Sequence, residues 1–207
     1  MRICEVRMAP GKRAEMMEET RAKLIAAGRK AFAEQGYAAA SMDELTASVG
    51  LTRGALYHNF GDKKGLLQAV VNQLDGEIAA EAKEAASRLG GSEWESLMAE
   101  GIAYIEMALK PEVQRIVLLD GPSVLGDPSQ WPSQNVCLQT TTNALERLIA
   151  EGLVKPVDAE AAARLLNGAA FNAALWIAAS DDPQADLKKV IDAFKVLGEG
   201  LLTTPPG

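Results

Sequence analysis

Apolar residues recur along this chain at intervals of three and four rather than two, which is the spacing of one buried helix face. From about 19 to 35, Leu24, Ile25, Gly28, Ala31 and Phe32 form such a stripe, and Gly36 is placed to end it in a left-handed conformation. Ser41-Met42-Asp43-Glu44 has the S-x-x-E capping form and predicts a second helix from Met42 that stops before Gly50. Thr52 is the next side chain suited to a cap, predicting a third short helix from Arg53 to about Asn59. Asp62 opens a long fourth helix with Leu66, Leu67, Val70, Val71, Leu74 and Ile78 on one face.

Past Gly90-Gly91 the same period predicts larger helices over about 93–109, 132–152, 159–179 and 184–202. Pro111 suits the first turn of a short helix ending near Asp120-Gly121-Pro122, and Thr203 to Gly207 reads as a frayed tail. The expected fold is all-α, with about nine helices. A flexible arm is expected over 1–18, a three-helix helix-turn-helix domain over 19–65, and a C-terminal helical bundle domain over 66–207. In the front domain Met42, Leu45, Val49, Leu51 and Leu56 can form a small core under Phe32, with Ala47 where two helices approach closely.

Composition adds a class. With 48% hydrophobic and 24% charged residues, the chain has an ordinary globular balance. No apolar run approaches the ~20 residues that span a bilayer, and the N-terminus lacks a signal-peptide core, so a cytoplasmic protein is expected. Cys4 and Cys137 form no C-x-x-C pattern and are expected as free thiols. With one histidine in the chain, no metal site is expected. No cofactor and no membrane partner are expected either. Paired carboxylates, a Cys–His pair and a phosphate loop are missing from any plausible setting, which disfavours an enzyme.

Charge is uneven. The whole chain carries −7, yet residues 1–64 hold 11 Lys and Arg against 8 Asp and Glu. An acidic body thus follows a front tolerant of polyanions. Within that front, "LTRGALYHNF" gathers Thr52, Arg53, Tyr57 and His58 on the third helix, and Lys63 follows. In a DNA-binding helix-turn-helix the second helix of the motif enters the major groove. Arg53 can give two donors to a guanine edge. Tyr57 and His58 can donate to phosphate, and Lys63 adds charge beside a helix N-terminus. Ser41 and Thr52, besides capping, can turn backbone N–H groups toward phosphate. Lys64 reads as a solvated neighbour.

These residues carry a resemblance. "AFAEQGYAAASMDELTASVGLTRGALYHNFGDKKGLL" resembles the DNA-binding domain of TetR-family transcriptional regulators. The core R-G-x-L-Y-x-x-F-x-x-K-x-x-L falls at Arg53, Gly54, Leu56, Tyr57, Phe60, Lys63 and Leu66. The resemblance implies an all-helical homodimer, a C-terminal ligand pocket, and relief of repression when ligand binds. It implies DNA contacts from Thr52, Arg53, Tyr57, His58 and Lys63. Asn59 departs from the pattern, standing where a second basic or histidine residue is common. The segment "LLDGPSVLGDPSQW" resembles a motif in one branch of the family's ligand-binding domains.

In the body, Trp94, Met98, Tyr104, Trp131, Cys137, Asn167, Phe171, Asn172 and Trp176 are the candidate pocket lining, since ligand pockets are largely apolar with a few placed polar groups. Plain helix core is the alternative. The last two helices, with Gly168, Ala169, Ala173 and Ala174 on one and Val190, Ile191, Phe194, Leu197 and Leu201 on the other, could meet a second copy or pack within the chain. The leading expectation is a sequence-specific regulator, a repressor released from a near-palindromic operator by a small-molecule effector. An activator and an all-helical carrier or interaction module remain as alternatives, and the effector is left open among aromatic compounds, lipid-like molecules and drugs.

Overall fold

A computed structural model describes residues 10–204 and divides at Val70/Val71 into two compact units, five residues beyond the expected boundary and inside a helix. The first unit holds α1 (Pro10–Ala39), α2 (Met42–Ser48), α3 (Arg53–Phe60) and the start of α4 (Lys63–Leu89). α1 breaks at Gly36, whose φ of 78° is the left-handed value the sequence calls for. The expected arm over 1–18 is helical from Pro10 onward. Ala14, Glu15, Met16, Met17 and Glu18 are good helix formers, and a helix already nucleated downstream extends through them cheaply. Residues 1–9, Cys4 among them, lie outside the described residues.

Caps set the helix starts. Ser41 Oγ accepts from Glu44 N at 3.4 Å, Thr52 Oγ1 from Ala55 N at 3.2 Å, and Asp62 Oδ1 from Gly65 N at 2.7 Å. Leu24, Phe32, Leu56, Leu66 and Leu67 are fully buried and form the core of this unit. Gly28 permits the closest approach, because a Cβ there would stand 3.0 Å from the Leu66 side chain. Ala47 is exposed; Thr46 is the buried residue, its hydroxyl donating to the Met42 carbonyl at 2.9 Å.

The second unit continues α4 and adds α5 (Glu93–Glu106), α6 (Pro111–Val113), a π-helical segment (Gln114–Asp120) and α7 (Gly121–Leu125). It ends with α8 (Pro132–Ala150), α9 (Ala159–Ala178) and α10 (Pro183–Glu199). α9 is the central helix, packed against α8, α5 and α10. Buried Ala162, Ala163, Ala170, Ala173 and Ala174 keep its surface low enough for those approaches. The short helix expected to stop near Asp120-Gly121-Pro122 instead runs on to Leu125. Pro122 falls in the first turn of α7, where its missing N–H costs little, and Gly121 lies against the Trp131 ring, which a Cβ would meet at 2.7 Å. The tail is held at its start, with Thr203 N donating to Leu153 O at 3.0 Å and its hydroxyl to Gly152 O at 2.9 Å. Among the described residues, extended structure is confined to an isolated bridge between Val154 and Leu202, and no helix is long and apolar enough to cross a membrane.

Candidate nucleic-acid interface and ligand cavity

α2 and α3, joined by the turn at Gly50, form a helix-turn-helix. Leu56 alone on α3 is buried; Thr52, Arg53, Tyr57 and His58 are exposed along its outer side. Arg53 reaches back to Asp43 on α2, with Nη1 at 3.4 and 3.5 Å from the two carboxylate oxygens, while Nη2 donates to Tyr57 OH at 3.1 Å. The guanidinium carbon also stands 5.5 Å from the centre of the Tyr57 ring. A planar cation is therefore oriented before any ligand arrives, by a contact over half-exposed side chains that is worth little to stability. The sequence reading passed over Asp43; its signal, an acid at the start of α2, also served the cap pattern.

Lys63 is half-buried. Its ammonium lies 4.7 Å from the Tyr37 ring centre and donates to Ala38 O at 3.3 Å, so it stands beside the first helix as well as at the head of α4. Ser41 and Thr52 both cap, as described. The departure at Asn59 has a local outcome: its amide donates to Ala55 O at 2.8 Å, along its own helix.

In the second unit α4, α5, α8, α9 and α10 enclose a cavity of about 240 Å³. Of the nine candidate residues, Met98, Tyr104, Cys137 and Asn167 line it. The other five do not. Trp94 packs on Gly198, where a Cβ would sit 3.3 Å from its ring. Buried Trp131 and half-buried Phe171 meet edge to face, 6.4 Å between ring centres. Asn172 and Trp176 face outward from α9, Trp176 with 54% of its surface exposed. Helical spacing names residues that share a face but not which face looks onto a void.

The cavity has polar members that the sequence reading missed, chiefly Asp75, Glu100, Gln134 and Thr141. Asp75 is buried, its Oδ2 accepting from the Ser133 hydroxyl at 2.6 Å. Burial pushes its pKa up, against the lowering pull of Ser133 and Gln134. Desolvation also raises Glu100, Cys137 and Tyr104, while the Lys83 charge acts on Glu100 in the other direction. The available signal was Asp75 itself, a carboxylate within the Leu74–Ile78 stretch of an apolar stripe.

The outer faces of the last two helices are also informative. Leu165 and Trp176 on α9, and Val196 and Leu197 on α10, are all more than half exposed. The sequence grouped Leu197 with Val190 and Phe194, but those two are buried, and Phe194 packs on Gly101. Val190 and Phe194 thus pack within the chain, one of the two arrangements the sequence left open, while Leu197 stays uncovered.

A helix-turn-helix unit with an exposed second helix, followed by a helical unit with its own cavity, defines the class: a helix-turn-helix DNA-binding regulator. Residues 24–70 match the profile of the bacterial regulatory proteins of the tetR family, and residues 94–201 match the tetracyclin repressor-like C-terminal domain. The chain belongs to the TetR family of transcriptional regulators. A solved TetR-family regulator from Pectobacterium atrosepticum is 47% identical, with a TM-score of 0.82 over 93% of this chain and 98% of that one. The transposon Tn10 TetC protein of Escherichia coli is 29% identical over 159 residues, 74% of this chain and 78% of that protein. The transcriptional repressor AcnR of Corynebacterium glutamicum is 30% identical over 102 residues, 49% of this chain and 52% of that protein.

Proposed function

We propose that this TetR-family protein is a cytoplasmic, ligand-responsive repressor that leaves a near-palindromic operator when a small effector enters the body. The observation that carries the reading is the outward side of α3, where Thr52, Arg53, Tyr57 and His58 are exposed together on a helix-turn-helix. Arg53 reads a base edge, for its fork of donors suits guanine O6 and N7. Ser41, Thr52, Tyr57, His58 and Lys63 hold phosphate and fix register. The reading involves no catalytic step.

Two copies associate through α9 and α10, whose exposed Leu165, Trp176, Val196 and Leu197 gain from leaving water. Each copy then takes one half-site, with half-site centres roughly 34–36 Å or a multiple apart. The cavity serves the effector: Asp75, Ala79, Ala82 and Lys83 of α4 line it, and α4 begins in the DNA-binding unit. An effector that binds the DNA-incompetent form more tightly shifts the population; going from 1:99 to 99:1 takes about 5.5 kcal/mol of differential affinity.

Selection of bound duplexes from a random pool tests this reading. The expected product is a near-palindrome bound by two copies; enrichment of no sequence, or of single asymmetric sites bound by one copy, would refute it.

A further inference from the structure

The cavity in the helical body contains buried polar atoms without a well-formed hydrogen bond, although the Gln134 side chain stands near two of them, Asp75 and Tyr104. Asp75 is 4% exposed, and while Oδ2 accepts from Ser133, Oδ1 has no hydrogen-bond partner. The Tyr104 hydroxyl is likewise buried without a partner. Asn167 takes the Thr141 hydroxyl on its Oδ1 at 3.1 Å but leaves its Nδ2 unpaired. Buried polar groups are nearly always paired, so three such atoms around one cavity, on α4, α5 and α9, point to a ligand that would complete the bonds.

Their chemistry selects the ligand. Among the lining residues two carboxylates, Asp75 and Glu100, face one cation, Lys83, which is exposed. No arginine or histidine lines the wall, so an anion would meet two carboxylates with exposed Lys83 as the single opposing charge, while the Tyr104 hydroxyl and Asn167 Nδ2 can donate to a neutral acceptor. A protonated amine finds the free Asp75 oxygen and gains a charge-assisted hydrogen bond where the dielectric is low. Asn167 Nδ2 asks for an acceptor on the same molecule. The rest of the wall, Met98, Leu97 and Leu166 among it, suits an apolar body.

We infer that the cavity takes a compact organic cation, an apolar body bearing a protonated amine that pairs with Asp75. Taking this cation as the effector rests on the regulator reading above; the binding preference itself does not.

Calorimetric titration of the full chain with three matched probes tests it: tryptamine as the cation, indole-3-propionamide as the neutral analogue, and indole-3-propionate as the anion. Tryptamine should bind on the order of tenfold tighter than the amide, about 1.4 kcal/mol, and the propionate weakest. Asp75→Asn should bring tryptamine and the amide to similar affinity. Glu100→Gln, at the less buried carboxylate, should reduce the preference by a smaller factor and serves if Asp75→Asn fails to fold. A propionate that binds as well as tryptamine, a cation preference unchanged in the folded variants, or no binding by any probe at millimolar concentration overturns the proposal. Operator binding, measured alongside, separates the two readings. Tryptamine that binds through Asp75 yet leaves DNA affinity unchanged supports the cation site and counts against the effector role; release of DNA by the propionate alone counts against the cation site while the regulator reading stands.

Discussion

Arg53 is held by two neighbours of opposite consequence for DNA. Tyr57 offers an oxygen that aligns the guanidinium, whereas Asp43 offers a carboxylate that a phosphate backbone would repel. Asp43→Asn should tighten binding to every duplex by about 1 kcal/mol or less, the scale of an exposed ion pair, and narrow the gap between operator and unrelated DNA. Competition gel shifts with both duplexes check it; unchanged affinity for each would show that Asp43 lies away from the phosphates. Asp75 makes a second residue-scale prediction. Its folded pKa is raised by burial, so the folded state holds the proton more tightly than the unfolded chain. Stability from this group is present below the unfolded carboxylate pKa and is lost as pH rises through the folded value. Asp75→Asn should therefore raise the neutral-pH Tm, by roughly 2–4 °C if about 1 kcal/mol is recovered, with the gain vanishing in acid. A Tm that falls equally at both pH values would contradict this.

At the scale of elements, the cap residues carry the front of the molecule. Thr52 is a cap whatever else it touches, because its hydroxyl accepts from Ala55 N. Thr52→Ala should cost about 1 kcal/mol of stability, read as a lower urea midpoint for the first unit with the second unit unaffected. Thr52→Ser should restore it. Such features were legible in the sequence because they are local: Ser41, Thr52 and Asp62 each lie three residues before the N–H they satisfy. Asp43 and Arg53 were not paired in advance, since ten residues and a turn separate them. The π-helical segment over Gln114–Asp120 escaped for another reason: its local pattern resembles any helix.

At the scale of the whole molecule, what the sequence left open is which faces meet and which stay uncovered. Aromatic spacing pointed to Trp94, Trp131, Phe171 and Trp176 as pocket lining, and all four serve elsewhere, because the direction of a helix face is fixed by neighbours far along the chain. Trp176 is the telling case. It is a large apolar side chain more than half exposed, on the same face as Leu165 about three turns away, on a helix whose other side is core. Trp176→Glu should shift the protein from two copies to one in light scattering, and weaken operator binding more than binding to a single half-site. A variant that still elutes as a pair would place the self-association face elsewhere.

The central claim is that the outer side of α3 touches duplex DNA, and salt-dependent anisotropy titration of the selected operator tests it most directly. With wild-type protein, log affinity should fall linearly with log salt. Lys63→Ala should weaken all duplexes alike and reduce that slope by about one, while Arg53→Ala should cost roughly 1–3 kcal/mol on the operator and relax preference at one base position. If both variants bind operator and unrelated duplex as wild type does, at every salt concentration, this face does not read DNA.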